Sequence, residues 1–72
     1  MNIKLQKNRY YSESKLQDYL DDKEKFIKDF FTSLKIISEI SNITYKLNEF
    51  ETLEISYMIE SCSITTFLKL HK

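Results

Sequence analysis

Hydrophobic positions recur with a helical period over residues 14–41. On a wheel at about 100° per residue, Leu16, Tyr19, Leu20, Phe26, Ile27, Phe30, Phe31, Leu34, Ile37 and Ile40 fall within one half of the circumference. Only Ile36 falls outside that arc, and the opposite half carries Gln17, Asp18, Asp21, Glu24, Lys25, Lys28, Asp29, Thr32, Lys35 and Glu39. The spacing predicts one long amphipathic helix. Ser14 followed by Gln17 supplies a capping box, and Asp21 with Glu24 supplies a second start. Asp21–Lys25 and Glu24–Lys28 are acid-to-base pairs one turn apart, stabilising a helix by about 0.2–0.5 kcal/mol each. One antiparallel helix covers roughly a third of its neighbour's circumference, so an apolar arc this wide demands at least two packing partners.

Beyond residue 41 the pattern admits two readings. The run from Leu53 to Glu60 alternates as a strand does, and so do Ile43, Tyr45 and Leu47. On a helical wheel the same region puts Phe50, Leu53 and Tyr57 on one side and Ile55, Ile59 and Cys62 on the other, which suits a helix buried on two sides. Asn48 followed by Glu51 reads as an N-cap pair, with Glu49 and Glu51 where a helix dipole favours acid. Ser63 offers a cap for a last helix through Leu70. The expected fold class is therefore all-α, a small helical bundle built on the 14–41 helix plus one or two shorter C-terminal helices. The alternative is α+β, the long helix followed by a C-terminal antiparallel β-meander. Residues 1–12 belong to the same single domain as a mobile arm, a short strand or a first helical turn.

Composition weighs on that choice. The 72 residues include no Gly and no Pro, where average usage would supply about five and four. Ala and Val are also absent, Lys and Ile abound, and there is one Arg, which is the codon signature of an AT-rich genome. Without Gly no residue takes positive φ cheaply, so two-residue hairpins are disfavoured. Gly-rich phosphate loops are excluded. The single cysteine, Cys62, excludes an internal disulfide, and with His71 the only histidine there are too few ligands for a zinc site. A core of this size rarely supplies more than about 3–5 kcal/mol, so further stability is expected from a partner or from self-association. Apolar runs of two or three residues build neither a membrane span nor a signal peptide, and a free thiol fits a reducing compartment; the expected location is cytoplasmic.

Chemistry is sparse. Cys62 and His71 lie about 13.5 Å apart along a continuous helix, far beyond proton-transfer range. The carboxylate pairs Asp21-Asp22 and Glu49/Glu51 adjoin no evident pocket, and Asn42-Ile43-Thr44 is a glycosylation sequon without secretory context. No enzymatic activity, cofactor, metal or small-molecule substrate is expected. The chain has no net charge, but residues 1–20 sum to +2, 49–60 to −4 and 61–72 to +2.

The leading functional expectation is a non-enzymatic protein–protein interaction module, a regulator or inhibitor of phage or plasmid type. It would bind a larger protein or self-associate through its amphipathic helix, with Tyr19, Phe26, Phe30, Phe31 and Ile37 as interface anchors. One alternative is a stoichiometric subunit of a large assembly. Another is a small DNA-binding regulator with a degenerate helix-turn-helix over Met58–His71, Ser63 at its turn. Its nucleic-acid contacts would be Lys4, Lys7, Arg9, Tyr10, Lys69 and Lys72.

Overall fold

A computed structural model of the chain describes residues 3–71. The helical signal is real, but the helix is broken in two and ends early. Ser12 caps α1 (Glu13–Asp21), its Oγ accepting from the Lys15 amide at 3.3 Å. Asp22 then stops one helix and starts the next. Its extended backbone (φ −153°) leaves the helical region while its own N–H still donates to the Asp18 carbonyl. Its carboxylate accepts from the Lys25 amide at 3.2 Å, capping α2 (Lys23–Leu34). Lys35 closes α2 in the left-handed region at φ 53°.

The remaining elements are strands: β1 (Ile3–Tyr11), β2 (Ile40–Leu47), β3 (Leu53–Ile59) and β4 (Cys62–Leu70). They form one sheet in the order β1-β4-β3-β2, with β1 parallel to β4 and the other pairs antiparallel. The all-α bundle is thus overturned: 48% of the structure is strand and 30% helix, an α+β arrangement. Residues 43–70 follow the period of two, not that of 3.6, because alternate side chains must bury one face of a sheet. Leu53, Ile55 and Tyr57 of β3 and Ile64, Thr66 and Leu68 of β4 are buried on one face. Glu54, Ser56, Thr65 and Phe67 alternate with them and lie opposite one another on the other face.

The predicted helix cap at Asn48 is a turn instead. Its Oδ1 accepts from the amides of Phe50 and Thr52, at 2.8 and 3.0 Å, closing the β2–β3 connection. The disfavoured two-residue hairpin also forms, with Ile59 opposite Cys62 across Glu60-Ser61. The chain meets the lack of Gly by placing Lys35, Asn42, Glu51 and Glu60 at positive φ, between 53° and 58°. Each bears a Cβ clash that Gly would not have, of roughly 1 kcal/mol.

Helices α1 and α2 cross the sheet on the face of Leu53 and Ile55, and Tyr19, Ile27, Tyr11, Leu53, Ile55, Tyr57, Ile64 and Leu68 form the core. Edge-to-face aromatic contacts join the layers: Tyr19 meets Phe26 and Tyr45 with ring centres 5.6 and 6.2 Å apart, and Phe31 meets Tyr57 at 5.0 Å. The wide apolar arc therefore packs on the chain's own sheet. Ile37 and Ile40 lie outside the helices altogether.

Lys35→Gly is expected to stabilise the fold by about 1 kcal/mol, because Gly ends a helix at positive φ without the clash. The check is the urea midpoint, which should rise with the slope unchanged. No rise would mean that Lys35 bears no strain.

Candidate functional site

β1 is an edge strand, and local geometry decides what its edge offers. The Ile3 amide donates to the Ser61 carbonyl at 3.1 Å, and the His71 amide donates to the Tyr11 carbonyl at 2.8 Å. In a regular strand the backbone groups of successive residues point to opposite sides. The odd positions from Ile3 to Tyr11 therefore turn their N–H and C=O groups toward β4. Lys4, Gln6, Asn8 and Tyr10 turn theirs outward, where no strand follows. Ile3 is exposed, as are Leu5 (46%) and Tyr10 (66%). The far end of the strand is pinned: the Tyr11 hydroxyl donates to the Glu51 carbonyl at 2.7 Å, joining β1 to the β2–β3 connection.

The other edge is closed differently. The register of β2 against β3 shifts between Ser41 and Thr44, and Asn42 there has positive φ. Such a bulge twists an edge and interrupts its pairing row. β1 has no such irregularity and continuous register with β4 over its nine residues.

Charge is segregated across the sheet. Strands β1 and β4 contain Lys4, Lys7, Arg9 and Lys69 and no acid. The β2–β3 side contains Lys46 against Glu49, Glu51, Glu54 and Glu60. Among the described residues the one ion pair is Lys46–Glu54, directly opposite in register at 3.5 Å. Parallel pairing sets Tyr10 beside Lys69, and the Tyr10 ring meets His71 edge-on at 6.0 Å.

Two hollows flank β1. On the open face a shallow depression of about 570 Å³ is lined by Lys4, Gln6, Thr44, Lys46, Thr65 and Phe67, with Glu54 and Ser56 at its centre. On the helical face a groove of about 650 Å³ runs between β1 and the helices. Arg9, Lys15 and Lys25 line it together with Asp18, Asp21, Asp22 and Asp29, above a floor of Phe26, Phe30 and Leu68. No group of His, Cys, Asp and Glu among the described residues is arranged to hold a metal ion.

The residues proposed from sequence separate into two sets. Of the helical anchors, Tyr19 is 3% exposed and lies in the core, and Phe26, Phe30 and Phe31 are half-buried against it. Ile37 is fully exposed in the link before β2. Of the nucleic-acid set, Lys4, Tyr10 and Lys69 lie on the open face of the β1–β4 pair and Lys7 and Arg9 on its helical face, and Lys72 lies outside the described residues. The helix-turn-helix is ruled out, since Met58–His71 spans the β3–β4 hairpin and contains no helix. Cys62 and His71 sit at opposite ends of β4, about 30 Å apart at strand rise. Among the described residues no helix is long and apolar enough to cross a membrane.

Sequence reasoning missed Leu5, Gln6 and Asn8 as edge residues. The alternation of Ile3 and Leu5 with Lys4 hinted at a strand, but nothing in it names the neighbouring strand.

Burial first, then the nearby Glu51 charge, raises the Tyr11 pKa above its ordinary value near 10. The unfolded chain therefore loses this proton first. Stability should be intact below about pH 10 and fall as pH rises from there through the folded-state value. Tyr19 is raised the same way, by burial and then by Tyr45. Tyr11→Phe should cost about 1 kcal/mol at neutral pH through the lost hydrogen bond, and make the alkaline decline shallower. Urea melts at several pH values check both, and an unaltered alkaline decline would remove Tyr11 from that transition. No known protein family, curated protein or solved structure matches this chain.

Proposed function

We propose that this chain is a non-catalytic interaction module of the cytoplasm that binds a protein partner along the β1 edge of its sheet. The observation that carries the proposal is the edge itself. It is nine residues of unbulged strand, with outward backbone groups at four positions and exposed Ile3, Leu5 and Tyr10 beside them. A protein in water does not leave such an edge uncovered at no cost, because it templates pairing with other chains. Its cations oppose indiscriminate pairing and leave selective pairing open. The small core points the same way: eight buried hydrophobic side chains and no disulfide leave a domain that gains from a bound partner. The half-buried free thiol of Cys62 suits a reducing compartment.

A second reading, nucleic-acid binding, is favoured by one specific observation. The parallel pairing sets Lys69 beside Tyr10, and the open face also carries Lys4, Lys46 and Phe67, with Phe67 between Asn8 and Glu54. Cations along a groove with aromatic platforms are what single-stranded nucleic acid requires. The net neutrality of the chain and Glu54 at the centre of that face weigh against it.

A photo-crosslinking amino acid at Leu5, with Glu39 as the control position, separates the two in the cells that express the protein. The proposal predicts a discrete protease-sensitive adduct from position 5 and none from position 39. A nuclease-sensitive adduct, or no adduct from position 5, would contradict it.

A further inference from the structure

The chemistry of the β1 edge narrows its occupant, granting that the edge binds protein at all. We infer that the occupant is an extended, acidic segment of a partner protein, added beside β1 as a fifth strand.

Three observations carry this. First, the outward N–H and C=O groups of Lys4, Gln6, Asn8 and Tyr10 form an uninterrupted row, which an extended backbone satisfies and a helix does not. Second, the side chains along that row are cationic on both faces. Lys4 lies on the open face, with Lys69 one strand in beside Tyr10, and Lys7 and Arg9 lie on the helical face. Among the described residues none of these four forms an ion pair, although Arg9 shares its groove with Asp18, Asp21, Asp22 and Asp29. Third, a second copy of this chain is a poor occupant. Antiparallel pairing of β1 with itself about its centre sets Lys7 against Lys7, and each copy brings Lys4, Lys7 and Arg9 and no acid to the shared edge, so it gains no opposite charge and meets like charge at its centre.

Register then specifies the sequence pattern. Residues directly opposite one another share a face, so on the helical side the partner needs apolar side chains facing Ile3 and Leu5 and carboxylates facing Lys7 and Arg9. Between them, on the open side, its residues are polar, with a carboxylate facing Lys4.

The test uses synthetic peptides of about nine residues, the length of β1, with Ile, Ile, Glu and Glu at alternate positions to face Ile3, Leu5, Lys7 and Arg9, Glu to face Lys4, and Thr at the other open-side positions. Both peptide directions are made, and each is compared with a version carrying Lys in place of Glu. Titration into the whole protein is followed by backbone amide NMR. The acidic peptide in one direction should bind at least about tenfold more tightly than its Lys counterpart and weaken with salt. The largest amide shifts should fall at Lys4, Gln6, Asn8 and Tyr10.

Gln6→Pro removes an outward donor without touching the β1–β4 ladder, and should abolish binding while leaving the circular dichroism spectrum unchanged. Should that variant fail to fold, the double substitution Lys7→Glu and Arg9→Glu keeps the edge backbone and should reverse the preference toward the Lys peptide. Equal binding of both peptides, shifts confined to β2, or preferential movement of the same amides by a single-stranded oligonucleotide would each overturn the inference. A peptide failure alongside a protease-sensitive Leu5 adduct would reject the acidic strand and leave protein binding at this edge standing.

Discussion

Parallel strands cannot be joined by a tight turn, so once β1 lies alongside β4 the chain between them has to leave the sheet and return. Here it returns at the far edge, as β2, and a meander through β3 brings β4 back beside β1. The connection must therefore pass over the buried face of both central strands. It must also run the length of the sheet, because β1 and β2 point the same way. The nine and twelve residues of α1 and α2 give about 30 Å of helix, matching the roughly 30 Å of a nine-residue strand. The helical layer, the core beneath it and the exposed outer edge of β1 all follow from that one pairing.

Little else holds the molecule together, which makes individual contacts count. The contacts of Tyr19 with Tyr45 and of Phe31 with Tyr57 span the two layers, and the Tyr11 hydroxyl ties the end of β1 to the loop at Glu51. Against these stand four non-glycine residues at positive φ, each costing about 1 kcal/mol in a domain whose core contributes only a few. The lack of Gly did not prevent hairpins; it left them strained.

Local chemistry was legible in the sequence wherever a local rule applied. The helical period from Leu16 to Leu34 and the presence of a second helix start near Asp21 correspond to α1 and α2, with caps displaced by one or two residues. Alternation from Leu53 to Glu60 is β3. The misreading of Asn48 is instructive, because an Asn that accepts amide hydrogen bonds from the following residues closes a turn as readily as it caps a helix. What was illegible was the long-range pairing. An apolar arc too wide for one helical neighbour does need more covering surface, but a sheet of the same chain supplies it as well as another molecule does. Likewise Lys4, Lys7, Arg9 and Lys69 were visible as separate cations, and only the β1–β4 register sets them on one pair of strands.

Amide hydrogen exchange across β1 in the isolated protein tests the account at its root. If β1 pairs with β4 on one side and is open on the other, protection must alternate. The amides of Leu5, Lys7 and Arg9 should exchange slowly, and those of Lys4, Gln6, Asn8 and Tyr10 rapidly. Uniformly rapid exchange from residue 4 to residue 10 would mean that the strand is not docked. Uniform protection would mean that its edge is already covered, and either result would contradict the open edge on which the functional reading stands.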